Sequence, residues 1–207
     1  AALHSHAPVS RSGKDGVSGA DGLTGQMMEP IEWHEIPHRE LPPKDWATTG
    51  KHGRSHPNFV TSLSIDPNDC NEMNQRLARK YALITEKEIR YEAKDCEDAE
   101  VVLVAYGTPA RVVLSAIEEL RRQGVKAGLF RPITLWPFPE KQLHDLAGED
   151  HVKVVVDVEM SLGQMIDDVR LAVEGQKPVK FAGVAGGLIP TVEDIVEAAK
   201  NALKEAE

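Results

Sequence analysis

The sequence predicts an α/β fold, a three-layer sandwich in which a mostly parallel sheet is covered by helices on both faces. Two observations carry that prediction. From Val101 onward, short runs such as Val101 to Tyr106 and Val152 to Met160 are apolar almost throughout, too short for helices and without the alternation of a half-exposed strand. Between them lie segments whose apolar residues recur every three or four positions, the signature of helices that bury one stripe. Strands apolar on both faces, each followed by an amphipathic helix, imply parallel pairing with right-handed crossovers.

Residues 1 to about 57 are rich in Gly, Ser, Pro and His and show no sustained period of 2 or 3.6, which marks loop or linker. Within them, Asp21 to Trp33 has the apolar density of the edge of another packed unit. Asp66 is placed to cap a helix that Pro67 begins, with Met73, Leu77, Tyr81 and Ile84 on one stripe and Glu72, Arg76, Arg79 and Lys80 on the exposed face. Glu86 to Glu100 is polar and leads into the next unit. After the strand at Val101, Thr108 is placed to cap and Pro109 to start a helix with Val112, Val113, Ala116, Ile117 and Leu120 inward, stopped by Gly124. A second strand covers Val125 to Phe130, and Pro139 opens a helix with Leu143, Leu146 and Ala147 inward and Gly148 as its stop. The third strand is Val152 to Met160. A helix beginning near Gly163 buries Met165, Ile166 and Val169. Val179 to Val184 is the fourth strand, and Thr191 to Asp194 reads as a capping box before a last helix with Val192, Ile195, Val196, Ala199 and Leu203 inward.

Composition narrows the functions. The chain has 207 residues, 41% hydrophobic and 28% charged, with no apolar run of about 18 residues to span a bilayer. A net charge of −9, with its cations scattered, repels a phosphate backbone, so neither nucleic acid nor membrane is an expected partner. Cys70 and Cys96 stand far apart without a CxxC, which reads as two reduced structural thiols of a cytoplasmic protein and not as a zinc or cluster site. The first ten residues lack the charged start and apolar core of a signal peptide, and the chain reads as a fragment. His4 and His6 alternate in a segment without other metal-ligand spacing, and are read as incidental.

Open α/β sheets bind ligands beyond the carboxyl ends of their strands, here at Gly107-Thr108, Arg131-Pro132, Met160-Ser161 and Gly186-Gly187. A helix N-terminus at Gly107-Thr108 could hold an anion, but the same residues also simply begin a helix. No GxGxxG follows the first strand; Arg131 at the end of the second would at best suit a 2′-phosphate, leaving an NADP or coenzyme A module as the alternative of another class. GxxxxGK[ST], GxSxG and HExxH are absent. Asp157 and Glu159 point the same way near the end of the third strand, either as a functional carboxylate pair or, more commonly, as a solvated or ion-paired strand end. In FRPITLWPFP, Phe130 to Pro139, three prolines hold the chain extended, so Ile133, Leu135, Trp136 and Phe138 have apolar surface to bury at little entropic cost. That segment covers its own sheet or docks against another domain or subunit, and Arg131, Trp136, Phe138 and, after the third strand, Gln164 are the interface candidates.

AYGTPARVVLSAIEELRRQGVKAGLFRPITLWPFP, VVVDVEMSLGQMIDDVRLA and PKDWATTGKHGR closely resemble the α subunit of 2-oxoacid:ferredoxin oxidoreductases, from about residue 21 to the end. The 2-ketoisovalerate type is most similar and the 2-oxoglutarate type next. The resemblance implies a remnant of a preceding thiamine-fold domain and linker at 1–40, a connecting segment with one helix at 41–92, and a transketolase C-terminal-like α/β domain at 93–207. The parent enzyme it implies joins a 2-oxoacid to coenzyme A with loss of carbon dioxide and passes two electrons to ferredoxin, using thiamine diphosphate, magnesium and iron–sulfur clusters in the whole complex. This chain lacks a GDG…N pattern and a cysteine set, so it is expected to bind none of these itself and to be inactive alone. Its implied partners are a thiamine-binding β subunit and a ferredoxin-like subunit, with a homodimer as a further form.

Overall fold

A computed structural model describes residues 40–206; Asp21 to Trp33 and the histidines at 4 and 6 lie outside them. The described residues divide into two units, 40–83 and 84–206. In the first, turns and extended chain lead to α1 (Pro67–Lys87). Asp66 Oδ1 accepts hydrogen bonds from the backbone N–H groups of Asn68 at 2.8 Å and Asp69 at 3.2 Å, which is the cap its position predicts. The helix continues to Lys87, and no residue of it is buried: Met73, Leu77 and Ile84 are half-buried and Tyr81 is exposed.

In the second unit the order is β1 (Tyr91–Lys94), β2 (Val101–Val104), α2 (Gly107–Arg122), β3 (Ala127–Pro132), α3 (Glu140–Ala147), β4 (Val154–Glu159), α4 (Met165–Val173), β5 (Val179–Gly183) and α5 (Val192–Ala206). The five strands lie in the order β1-β3-β2-β4-β5, with β1 antiparallel to β3 and every other pairing parallel. Val101, Leu103, Val154, Val156 and Val158 face α2 and α5, against Val113, Ile117, Leu120, Ile195 and Ala199. Val102, Val104 and Val155 face the other way, toward Phe138, Leu143, Met165 and Val169 of the α3 and α4 layer. The three layers are those expected from the alternation of apolar runs and helical stripes.

The helix ends show why the boundaries fall where they do. After α2, the N–H of Gly124 donates to the Arg121 carbonyl at 3.0 Å and that of Val125 to Leu120 at 2.9 Å, and Gly124 has φ +83°. This paired return requires a left-handed residue, which glycine adopts without steric cost. Before α5, Thr191 Oγ1 accepts from the Asp194 N–H at 3.1 Å while Asp194 Oδ2 accepts from the Thr191 N–H at 3.0 Å, a reciprocal capping box with Asp in the usual place of Glu.

Two local expectations are corrected. Thr108 does not cap α2: the cap position is Tyr106, Gly107 turns the chain at φ +60°, and both Thr108 and Pro109 lie buried inside the first turn. Pro109 fits there because first-turn N–H groups have no intrahelical partner to lose. The polar segment from Glu86 also contains the strand β1, which pairs with β3 in the register Glu92↔Arg131. Every residue of β1 is exposed, so it carries no apolar run or alternation by which a strand is recognised.

Replacing Thr191 with Ala should cost about 1 kcal/mol of stability in urea unfolding, the usual worth of an N-cap, with α5 content lost only where the domain itself unfolds.

Candidate functional site

The parallel strands reverse their winding at β2: α2 leads to β3 on one face, and α3 returns across the other face to β4. In such sheets the crevice between the two strands at the reversal, here β2 and β4, is where ligands bind. Tyr106 and Gly107 stand past the end of β2. Asp157 and Glu159 occupy the end of β4, two residues apart and therefore on one side of the sheet, the side of Val155 and the α3 and α4 layer.

Both carboxyl groups are inside the protein, Asp157 at 0% and Glu159 at 1% exposure. The commoner arrangement for such a pair, a solvated or ion-paired strand end, is thereby overturned. Glu159 is fully engaged. Its carboxylate accepts from the backbone N–H groups of Gln164 and Ile166, each at 3.0 Å, and from Ser161 Oγ at 2.9 Å; Ser161 Oγ in turn accepts from the Gly163 N–H at 2.9 Å. Gln164 occupies the cap position of α4 but supplies no side-chain cap, so Glu159 performs that service from the preceding strand.

Asp157 is the opposite case. Neither of its oxygens receives a hydrogen bond from an N–H or O–H group. Burial, then the adjoining Glu159, pushes its carboxyl up to about 9. It is therefore protonated at neutral pH, and its O–H can donate to the Glu159 carboxylate. Burial alone would also raise Glu159, but the bond from Asp157 and the N–H groups at the start of α4 outweigh it and hold Glu159 below the ordinary carboxylate range. Tyr106 is pushed up by burial and by the charge of Glu159.

The remaining sequence candidates separate. Arg131 forms an ion pair with Glu92 on the neighbouring strand at 3.0 Å. Phe138 is 7% exposed and packs in the core under α3 and α4, joined by the half-buried Leu135. Trp136 is 60% exposed and Ile133 is also exposed, while Gln164 is exposed at the start of α4. The stiff segment thus divides its apolar residues between its own sheet and the surface. Cys96 is buried, and burial pushes its thiol up to about 12, so it is no nucleophile. Among the described residues no group of three or more His, Cys, Asp or Glu is arranged to hold a metal ion. Sequence reasoning missed the capping role of Glu159; the available signal was a helix start, Leu162-Gly163-Gln164, with no capping residue and a carboxylate a few positions upstream.

Residues 99–195 match the family described as pyruvate:ferredoxin oxidoreductase core domain II. The chain is similar to subunits of 2-oxoacid:ferredoxin oxidoreductases. It is 41% identical over 177 residues to ketoisovalerate oxidoreductase subunit VorB of Methanothermobacter marburgensis, covering 86% of this chain and 49% of that protein. It is 32% identical over 131 residues to 2-oxoglutarate synthase subunit KorA of the same organism, covering 63% of this chain and 34% of the relative. The ketoisovalerate type is thus better matched than the 2-oxoglutarate type, the order that the quoted motifs imply. The fold is also that of a 2-oxoglutarate:ferredoxin oxidoreductase from Magnetococcus marinus, solved with 2-oxoglutarate, coenzyme A and succinyl-CoA bound, at a TM-score of 0.54 and 20% identity over 74% of this chain and 26% of that one. The chain spans about half the length of the VorB relative, 49%.

The protonated Asp157 gives a signed pH dependence. Folded, it keeps its proton up to about 9; unfolded, it releases it near 3.8. Stability is therefore fully present below the unfolded value and is lost as pH rises toward the folded one, by at most about 1.4 kcal/mol per pH unit. Urea unfolding at a series of pH values should show that decline in the native protein and a flatter profile in Asp157→Asn, whose amide needs no proton to donate to Glu159.

Proposed function

We propose that this chain is the assembly part of the α subunit of a 2-ketoisovalerate-type 2-oxoacid:ferredoxin oxidoreductase, with the 2-oxoglutarate type as the second reading. The complex would convert a 2-oxoacid and coenzyme A to acyl-CoA and carbon dioxide, reducing ferredoxin. In this reading residues 1–40 are the remnant of a preceding thiamine-fold domain, 41–92 connect, and 93–207 form the transketolase C-terminal-like domain. Its partners are the thiamine-binding β subunit and the ferredoxin-like subunit, in the cytoplasm; among the described residues no helix is long and apolar enough to cross a membrane.

The observation that carries the reading is that the crevice at the winding reversal is closed by the protein's own carboxyl pair. Glu159 already occupies the start of α4, where a phosphate would bind, and its negative charge opposes an incoming nucleotide. Past the carboxyl ends of β3, β4 and β5, by contrast, the chain exposes Trp136, Leu162 and Leu188, the kind of surface a partner covers. The residues present do not fit a thiamine diphosphate–magnesium site or a cluster: the buried carboxyls are engaged with each other and with α4, and two cysteines cannot supply four thiolates.

Trp136→Ala should weaken association with the β subunit, measured by sedimentation or co-purification, while leaving the melting temperature of this chain unchanged. Phe138→Ala should instead cost about 3–5 kcal/mol of stability. Equal loss of stability in both variants, with assembly intact, would remove the docking role of this segment. Thermal-shift titration with NADP or coenzyme A should show no saturable stabilisation; a gain of about 2 kcal/mol or more at high ligand would establish the nucleotide module instead.

A further inference from the structure

We infer that Asp157 and Glu159 hold one proton between them, and that this proton latches the turn at residues 161–164 to the sheet, so that its removal frees the start of α4. The geometry is a chain of dependences. The cap of α4 is not a local side chain but Glu159, which must be ionised to accept from Gln164, Ile166 and Ser161 at once. Asp157 lies beside it on the same side of β4 with no N–H or O–H group donating to it, so the one hydrogen bond open to it is made by giving its own proton to Glu159. Ionising Asp157 would place two like charges together in a dry interior. One of them must then leave, and of the two only Glu159 is bonded to the turn that carries exposed Leu162.

The surroundings leave the pair to settle its own charge. β2 and β5 place Val104 and Phe181 beside Asp157, and the layer above contributes Phe138 and Leu143, none of them ionisable. From the turn after β2, Tyr106 faces the pair as a neutral phenol. From α4, Asp168 senses the Glu159 charge and is itself pushed up, first by burial, while Arg170 favours ionised Asp157 from a distance and is paired with Asp167 at 3.5 Å. Phe181 also lies within 3.8 Å of where a Cβ at Gly163 would sit, so the turn rests on the outer strand and has a defined closed position.

The test uses the full chain and no partner, so its failure is separate from any failure of the assembly reading. Infrared difference spectra of protein with carboxyl-labelled aspartate should show a protonated-acid carbonyl band at neutral pH, lost through about pH 9 and absent from Asp157→Asn. Over the same interval the amide-exchange protection of Gln164 and Ile166 should fall by about tenfold per pH unit above the midpoint, while Ile117 and Leu120 in α2 stay protected. In Asp157→Asn the protection of Gln164 and Ile166 should not change with pH. Absence of the band at neutral pH, its loss with protection unchanged, or simultaneous loss of protection in α2 would each overturn the latch; should the variant not fold, the native titration decides alone.

Discussion

One carboxylate, that of Glu159, joins the end of a strand to the beginning of a helix. α4 starts without a capping residue of its own, and its first N–H groups would be buried without partners if Glu159 were lost or neutralised. From this follow the ionised state of Glu159, the protonated state of Asp157, the position of the turn at 161–164, and the closure of the crevice where this class of fold ordinarily holds a ligand. A structural need at one helix end thus sets the electrostatics at the end of β4.

The division of labour along FRPITLWPFP has a similar logic. A segment stiffened by three prolines, bent at Ile133 and again at Leu135 to Pro137, can present residues to opposite sides without the entropy that a flexible loop would lose. Phe138 and Leu135 go inward under α3 and α4, and Trp136 and Ile133 outward. The inward residues fix the segment on the domain, and the outward ones thereby become a rigid surface. Of the two alternatives for this stretch, covering its own sheet is met by Phe138 and Leu135, while Trp136 and Ile133 are left at the surface.

Most of the fold was legible because buried parallel strands and one-sided helices leave strong patterns: Val101 to Val104 is buried at every position, and the α2 stripe of Val113, Ala116, Ile117 and Leu120 faces the sheet as its spacing requires. What escaped was held by relations that are not periodic. β1 is a strand because β3 offers it hydrogen bonds, not because its own side chains are buried. The start of α2 is set by the left-handed Gly107, which moved the cap away from the more conventional Thr108. Asp157 and Glu159 were visible as a pair, but their burial depended on the layer that α3 and α4 lay over them, and a solvated strand end has the same spelling.

The two outer strands govern how this domain meets other polypeptide. On one side β1 carries Glu92, tied to Arg131, and Lys94; on the other β5 carries Lys180, tied to Glu205 of α5. Charged side chains anchored along both rims make it costly for a foreign chain to zip onto the open backbone, because their ion pairs would have to be stripped of water or broken. Sideways growth of the sheet into fibrils or strand-swapped dimers is thus discouraged at both rims.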